Sequence, residues 1–355
     1  MKAVIKREMK NYLKNPILWI GMLVVIVGVY QILEPYLKLH YFETEQEVQS
    51  ISVPILSDAD IMDGYIPTLD GERMKLVCEE LERSLTQDMG MSEQEASLIM
   101  DEIKGMTLEE MSEYLGEACG YYGVEYAYQD LEYHQGSMQE VNGYIREKLQ
   151  EHPFSYYFAR KFADFGGLYM VFFSTILLAF LFLWDTRKDT YELLHTKPVR
   201  AWQYVLGKII GGFLIILFIL GILNLVFGGL CELYGRRAGF QVRASDILLA
   251  TCVYILPSML MITCTYAITA LAFKNPLPAV PVLFLYIVYS NMGSRGPDGI
   301  YGYYGRALAI LVRFPGRFFD TASPPMVFLN QTYLVMASAV LIFLSICIWK
   351  RRRVY

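Results

Sequence analysis

Long apolar runs recur along this chain, and the charged side chains are concentrated between them. A helix needs about 20 predominantly apolar residues to cross the hydrocarbon core of a bilayer. The chain is 54% hydrophobic and only 19% charged, too apolar for an ordinary soluble domain of its length. We therefore predict an all-α membrane protein built on a bundle of six transmembrane helices. The spans are expected at residues 17–37, 167–184, 209–230, 247–273, 278–289 and 333–349, of which 278–289 is marginally short.

The first 16 residues are predicted to form an amphipathic helix on the membrane surface. Apolar residues at helical spacing alternate there with cations. The cations are Lys2, Lys6, Arg7, Lys10 and Lys14. No small-residue cleavage site follows the next apolar run, which favours an uncleaved first span over a secretory signal peptide.

Residues 38–166 form a large insert after the first span. The stretch from Lys38 to Asp164 carries 27 acidic against 9 basic residues, whereas the rest of the chain is basic. The insert is expected to be mainly helical, because apolar residues recur in it at helical spacing. The predicted helices are 71–89, 92–105, 107–118 and, more weakly, 137–151. Capping-box pairs mark two of the starts, Ser92 with Glu95 and Thr107 with Glu110.

Six cysteines are scattered along the chain, with no C-x-x-C pair and no histidine at metal-ligand spacing. Two of them, Cys78 and Cys119, share the insert. Two cysteines alone fix no disulfide framework, so a bond between them stays open at this point.

The distribution of cations predicts the orientation. Segments proposed to be cytoplasmic hold 15 lysines and arginines, whereas the two short outer loops hold 7. Cytoplasmic loops of membrane proteins carry the excess of cations. Both termini, including the tail 350–355, are therefore expected in the cytoplasm, with the acidic insert outside the cell.

The absence of three sequence motifs argues against several function classes. The chain has no G-x-x-x-x-G-K-[ST] phosphate loop, since Gly207 and Lys208 are followed by Ile. It also lacks a G-x-S-x-G elbow and an H-E-x-x-H pair. We expect no enzyme activity, no bound cofactor or metal, and no nucleic-acid binding, which would need a clustered basic surface.

The loop 185–208, between the second and third spans, carries the most informative pattern. An acidic start leads to a T-x-E-L-L stretch, then P-V-R, an aromatic residue and finally G-K at the next span. The residues of this pattern are Thr190, Glu192, Leu193, Leu194, Pro198, Val199, Arg200, Trp202, Gly207 and Lys208. The loop resembles the corresponding loop of ABC-2 type ABC transporter permeases. It departs from that pattern at Asp189, where the family usually has glycine.

The resemblance extends to the whole layout of basic surface helix, first span, outer insert and five further spans. It implies a membrane permease subunit of a bacterial exporter in the cell membrane. The loop would then be the coupling element for a separate ABC ATPase, which would bind ATP and Mg. A second permease subunit, either another copy of this chain or a similar chain, would complete the transporter as a homo- or heterodimer. The substrate would be amphiphilic or hydrophobic, such as a peptide antibiotic, drug or lipid. Residues 291–331 would hold a re-entrant or interfacial helix near 304–314.

Within the spans, five residues are candidates for packing or movement. Gly207 and Gly211 form a G-x-x-x-G pair that allows close helix approach, inside the bundle or with a second copy. Asn224 is a strongly polar group at mid-membrane, suited either to a substrate path or to a bond with a neighbouring helix. Pro257 and Pro281 interrupt apolar segments and are candidate hinges, or ordinary kinks.

A second function class fits some of the same features. In a non-transporting membrane receptor or immunity protein, the acidic insert would bind a cationic peptide and the spans would only anchor it. Association with a separate ATPase would distinguish the transporter from this alternative.

Overall fold

The computed structural model describes residues 1–51, 59–181, 200–295, 301–302 and 305–352. The chain divides into two compact units. The membrane unit comprises Met1–Lys38 and Leu149–Tyr355, and the inserted unit comprises Leu39–Lys148. The inserted unit thus ends before the predicted boundary at residue 166.

Helices make up most of the described chain, and the α labels used below follow chain order. They are α1 (Lys2–Leu13), α2 (Pro16–Leu37), α3 (Glu45–Gln49), α4 (Asp70–Gln87), α5 (Glu93–Glu102), α6 (Leu108–Cys119), α7 (Val124–Asp130), α8 (Met138–Glu151), α9 (Phe154–Leu178), α10 (Ala201–Arg237), α11 (Ala244–Ala250), α12 (Leu256–Phe273), α13 (Ala279–Asn291) and α14 (Val327–Arg352). A π-helical turn, Thr251–Ile255, joins α11 to α12 without a break.

Five helices of the described chain are long and apolar enough to cross a membrane. They are α2, α9, α10, the continuous Ala244–Phe273 helix and α14. The apolar helix α13 occupies the position of the predicted fifth span, but its 13 residues are fewer than the about 20 that a straight crossing needs. The all-α membrane class is therefore confirmed, and the count of six spans stays a prediction.

Helix α9 is the centre of the membrane unit. Within its apolar stretch of 18 residues, 72% is buried, whereas the corresponding share is 22% in α2 and in α14. It begins at Phe154, well before the start of the span predicted at 167–184. The side chains of Phe154, Phe158 and Phe162 are fully buried. Their packing within the unit explains why residues 154–166 and the predicted span form one helix.

Residues 305–326 are irregular, so the helix predicted near 304–314 is not observed in the described part of that segment. Before it, β3 (Ser294–Arg295) pairs antiparallel with β4 (Tyr301–Gly302). Side chains of neighbouring helices bond the backbone of the irregular segment. Ser290 Oγ accepts from the Ile310 N–H at 3.0 Å, and Asn330 Nδ2 donates to the Ala309 carbonyl at 2.8 Å. These bonds satisfy backbone groups that a helix would otherwise pair internally.

The inserted unit is helical, apart from the short antiparallel pair of β1 (Tyr65–Pro67) and β2 (Tyr133–Gln135). Its α4, α5, α6 and α8 confirm the four predicted helices to within a few residues. Apolar side chains from α4 to α7 form a hydrophobic core in this unit. The fully or nearly fully buried members are Val77, Leu81, Leu85, Ala96, Ile103, Met111, Leu115, Val124 and Ala127.

Both predicted capping boxes are present. The Ser92 hydroxyl accepts from the Glu95 N–H while the Glu95 carboxylate accepts from the Ser92 N–H, and Thr107 with Glu110 does the same at the start of α6. Cys78 and Cys119, whose pairing the sequence left open, are both free thiols.

The capping box of α5 gives a prediction about pH. Hydrogen bonds from the Ser92 hydroxyl and then from the Ser92 backbone N–H hold the pKa of Glu95 below its usual range. Its unfolded-state pKa is about 4.3, so the bonded carboxylate stabilises the fold fully above that value, and this contribution is lost as pH falls through the lower folded-state pKa. We expect the Glu95→Ala variant of fragment 39–151 to unfold more easily than wild type at pH 7, and the difference to shrink as the pH falls below about 4.3.

Denaturant unfolding followed by circular dichroism between pH 3 and 7 measures this difference. The matched control is Glu93→Ala, which removes a carboxylate from the same first turn of α5 but not the capping partner of Ser92. An equal loss of stability in both variants, or a loss that does not shrink as the pH is lowered, would contradict the prediction.

Candidate coupling site at the start of α10

The predicted coupling loop is described only at its end. Thr190, Glu192, Leu193, Leu194 and Pro198 lie outside the described residues. Val199 lies outside them as well, whereas Trp202, Gly207, Lys208 and Gly211 belong to α10. Arg200 is the residue that precedes its first turn, and Trp202 lies within that turn with 41% of its surface exposed.

The first turns of α10 pack against the N-terminal helix α1. A methyl group added at Gly211 would lie 2.7 Å from Cβ of Glu8, and one at Gly207 would lie 3.0 Å from Cβ of Val4. Both distances are shorter than ordinary carbon contacts, so only glycine allows α1 to lie this close. The G-x-x-x-G pair therefore contacts another helix of the same chain.

A buried ion pair joins the same two helices. Lys208 Nζ donates to Glu8 Oε1 at 2.5 Å, and the two side chains are 5% and 6% exposed. Lys208 is the last residue of the predicted loop, and it extends from α10 between the two glycines. We call Val4, Glu8, Gly207, Lys208 and Gly211 the coupling cluster.

Helix α14 reaches the same end of the membrane unit. The rings of Tyr204 and Trp349 stack with their centroids 4.2 Å apart. On α1, Tyr12 is 3% exposed, one turn beyond Glu8. The start of α10 is thus held between α1 on one side and the last turns of α14 on another.

Sequence reasoning did not identify Glu8 as a site residue. The available signal was its position, because Glu8 is the sole acidic residue in an otherwise basic α1. It occupies the same helix face as Val4 and Tyr12, at a spacing of four residues. An acid on the apolar face of a basic helix indicates a buried partner, although the sequence does not identify that partner.

The candidate pathway and hinge residues lie further along the membrane unit. Asn224 Nδ2 donates to the Leu220 carbonyl of its own helix at 2.8 Å, and its Oδ1 lies 3.1 Å from Oγ1 of Thr251. Thr251 opens the π-helical turn, which ends just before Pro257 enters the first turn of α12. Proline lacks the N–H of a regular helix, and such turns accommodate the missing bond. Pro281 lies in the first turn of α13 and does not interrupt that helix.

A second buried ion pair lies among the first turns of α9 and the irregular segment. Arg313 Nε donates to Asp164 Oδ1, and the Phe314 N–H donates to Asp164 Oδ2 at 2.9 Å. Lys161 Nζ donates to the Gly316 carbonyl at 2.6 Å. The sequence assigns both Asp164 and Lys161 to the insert 38–166, whereas both side chains are buried within the membrane unit, at 3% and 4% exposure.

Among the residues that the structure describes, no three histidine, cysteine, aspartate or glutamate side chains are grouped to hold a metal ion. The two buried ion pairs and the close contacts at Gly207 and Gly211 make the described site one of packing and buried charge.

Five long apolar helices of the described chain, with α9 at their centre and an amphipathic helix packed against one of them, define a multi-pass α-helical membrane protein. The family model described as "ABC-2 family transporter protein" matches residues 2–349, and the chain belongs to this family. The resemblance predicted from the loop 185–208 is thereby confirmed. No curated protein and no solved structure matches the chain.

Proposed function

We propose that this ABC-2 family membrane protein is the permease subunit of an exporter driven by a separate ABC ATPase. In this proposal the termini and the loop 185–208 face the cytoplasm, and the inserted unit lies outside. ATP and Mg bind to the partner subunit and not to this chain. The substrate class, amphiphilic or hydrophobic molecules, rests on the resemblance alone.

The coupling cluster is the observation that best supports this proposal. The proposed docking loop ends at Lys208, and Lys208 is bound to Glu8 in a buried pair. A displacement of the loop would therefore move α1 and the start of α10 together. Helix α10 continues without interruption to Arg237, a length of about 55 Å at 1.5 Å per residue. A movement at its first turn can therefore reach Asn224 and the π-helical turn beside it.

A second permease copy is also part of the proposal. In each of α2 and α14, only 22% of the apolar stretch of 18 residues is buried within the membrane unit. Two largely uncovered apolar helices are available to lipid or to the same helices of another copy. Closed homodimers are the commonest assembly of proteins, and a two-copy transporter would cover part of this surface.

Substitution of both leucines in the loop tests the docking assignment. We expect Leu193→Asp with Leu194→Asp to weaken association with the ATPase by roughly thirtyfold, the effect of about 2 kcal/mol for a central interface residue. The physical reason is that a charge placed in an apolar groove loses its hydration without gaining a partner. Co-purification of the tagged permease with a co-expressed ABC ATPase measures the association.

The matched control is Glu192→Lys, which changes charge at the expected rim of the interface and should cost about 1 kcal/mol or less. Membrane insertion of all variants is checked by membrane fractionation. Normal ATPase association in the double-Asp variant would refute the coupling role of the loop. Absence of any associated ATPase in wild type would instead favour the receptor or immunity function.

A further inference from the structure

Helix α1 exposes a row of lysines that the coupling cluster does not use. Lys2, Lys6, Lys10 and Lys14 follow one another at intervals of four residues, and all four side chains are exposed. Successive members of such a row are about 6 Å apart along the helix axis. Arg7 is exposed beside the row.

The positive charge of this row is not compensated within α1. Glu8 is the one acidic residue of the helix, and it is buried against Lys208 on the other face. The inward-facing stripe of α1 is formed by Glu8 and Tyr12, which are buried, and by Val4, which is half-buried. The exposed face is thus cationic because the structure uses its single acid elsewhere.

Apolar side chains lie between the lysine row and the inward-facing stripe. Ile5 and Met9 are half-buried, and Leu13 is 39% exposed. A helix with an apolar strip beside a row of lysines lies in the interface of a bilayer, with its apolar side chains among the acyl chains and its cations at the headgroups.

The chain places α1 at the level of the headgroups. Helix α1 ends at Leu13, and the apolar helix α2 begins at Pro16. Trp19 Nε1, in the first turn of α2, donates to the Leu13 carbonyl at 3.0 Å. Tryptophan is enriched at the membrane–water interface, so this bond fixes the end of α1 close to that interface.

We infer that the lysine row of α1 is a binding site for anionic phospholipid headgroups, and that bound lipid stabilises α1 in its position against α10. A lysine-rich segment close to a negatively charged leaflet is attracted to it, whereas a neutral leaflet gives no such attraction. The ion pair between Glu8 and Lys208 and the close contact at Gly211 then connect the lipid site to α10. Lipid binding itself does not depend on the proposed transport function.

The full-length chain, purified in neutral detergent, provides the test. Phosphatidylglycerol and phosphatidylcholine with identical acyl chains are added separately, and bound lipid is counted by native mass spectrometry while the midpoint of thermal unfolding is recorded. We expect wild type to bind phosphatidylglycerol at least about tenfold more tightly and to unfold at a higher temperature with it. Raising the NaCl concentration to 0.5 M should reduce this preference.

The decisive variant is Lys2→Gln, Lys6→Gln, Lys10→Gln, which should lose the preference for phosphatidylglycerol. Its matched control, Arg236→Gln, Arg237→Gln, Arg243→Gln, removes the same charge from exposed positions near the other end of α10 and should keep it. Equal binding of both lipids by wild type, or an equal loss in both triple variants, would overturn the inference. Inorganic phosphate is added in a separate sample, and stabilisation equal to that by the lipid would show a site for free anions instead. If wild type showed no lipid preference but bound an acidic protein through α1, the lysine row would be a protein interface.

Discussion

Replacing Asp164 with alanine should destabilise the membrane unit by about 3–5 kcal/mol, the usual cost of breaking a buried ion pair from one side. Asp164 is 3% exposed and accepts hydrogen bonds from Arg313 and from the Phe314 N–H. The alanine variant would leave the guanidinium, which is 19% exposed, without its carboxylate. It would also leave a buried backbone N–H without its acceptor. Denaturant unfolding of the purified chain in detergent, followed by tryptophan fluorescence, measures the loss.

An exposed ion pair of the same unit provides the control. Glu232 and Arg236 are paired at 2.6 Å on α10, with side chains 47% and 71% exposed. Glu232→Ala should therefore cost about 0.5 kcal/mol or less. Asp164→Asn should fall between the two, because its amide oxygen can still accept from Phe314 while its charge is lost. Equal destabilisation by Asp164→Ala and Glu232→Ala would show that burial of the Asp164 pair contributes nothing.

The sequence predicted those parts of the fold that depend on residues close together in the chain. A long uncharged run defines α2 and α10, because a bilayer-crossing helix bonds its own backbone. Ser92 with Glu95 and Thr107 with Glu110 define two helix starts, since both partners of a capping box lie within four residues. These features need no knowledge of what the helix packs against.

The remaining features depend on partners that are distant in sequence. Glu8 and Lys208 are separated by 200 residues, and Asp164 and Arg313 by 149. Charge counting therefore assigned Asp164 to the acidic insert. The apolar composition of residues 304–314 predicts a helix, but the same composition also fits an irregular segment. In the structure, Ser290, Asn330 and Asp164 bond the backbone of that segment.

The coupling cluster allows stability and function to be separated. Lys208→Met alone would leave the Glu8 carboxylate buried without its charged partner, which should cost about 3–5 kcal/mol. The double variant Glu8→Leu, Lys208→Met replaces the whole pair by apolar side chains of similar size. Such replacements are often neutral or stabilising, so the double variant should recover most of the stability that the single variant loses. Unfolding in detergent compares the three proteins.

Transport by the same three proteins then tests what the ion pair does. If Glu8 and Lys208 only fill space between α1 and α10, the double variant should transport as well as wild type, because its packing is preserved. If the directional bond between the two helices makes α1 move together with the start of α10 when the loop is displaced, the double variant should be as stable as wild type but transport less. Our proposal requires the second result, since Lys208 ends the loop and Gly207 and Gly211 hold α1 against the same turns. A double variant that fails to recover stability would instead show that the close packing at Gly211 does not tolerate the replacement of Glu8.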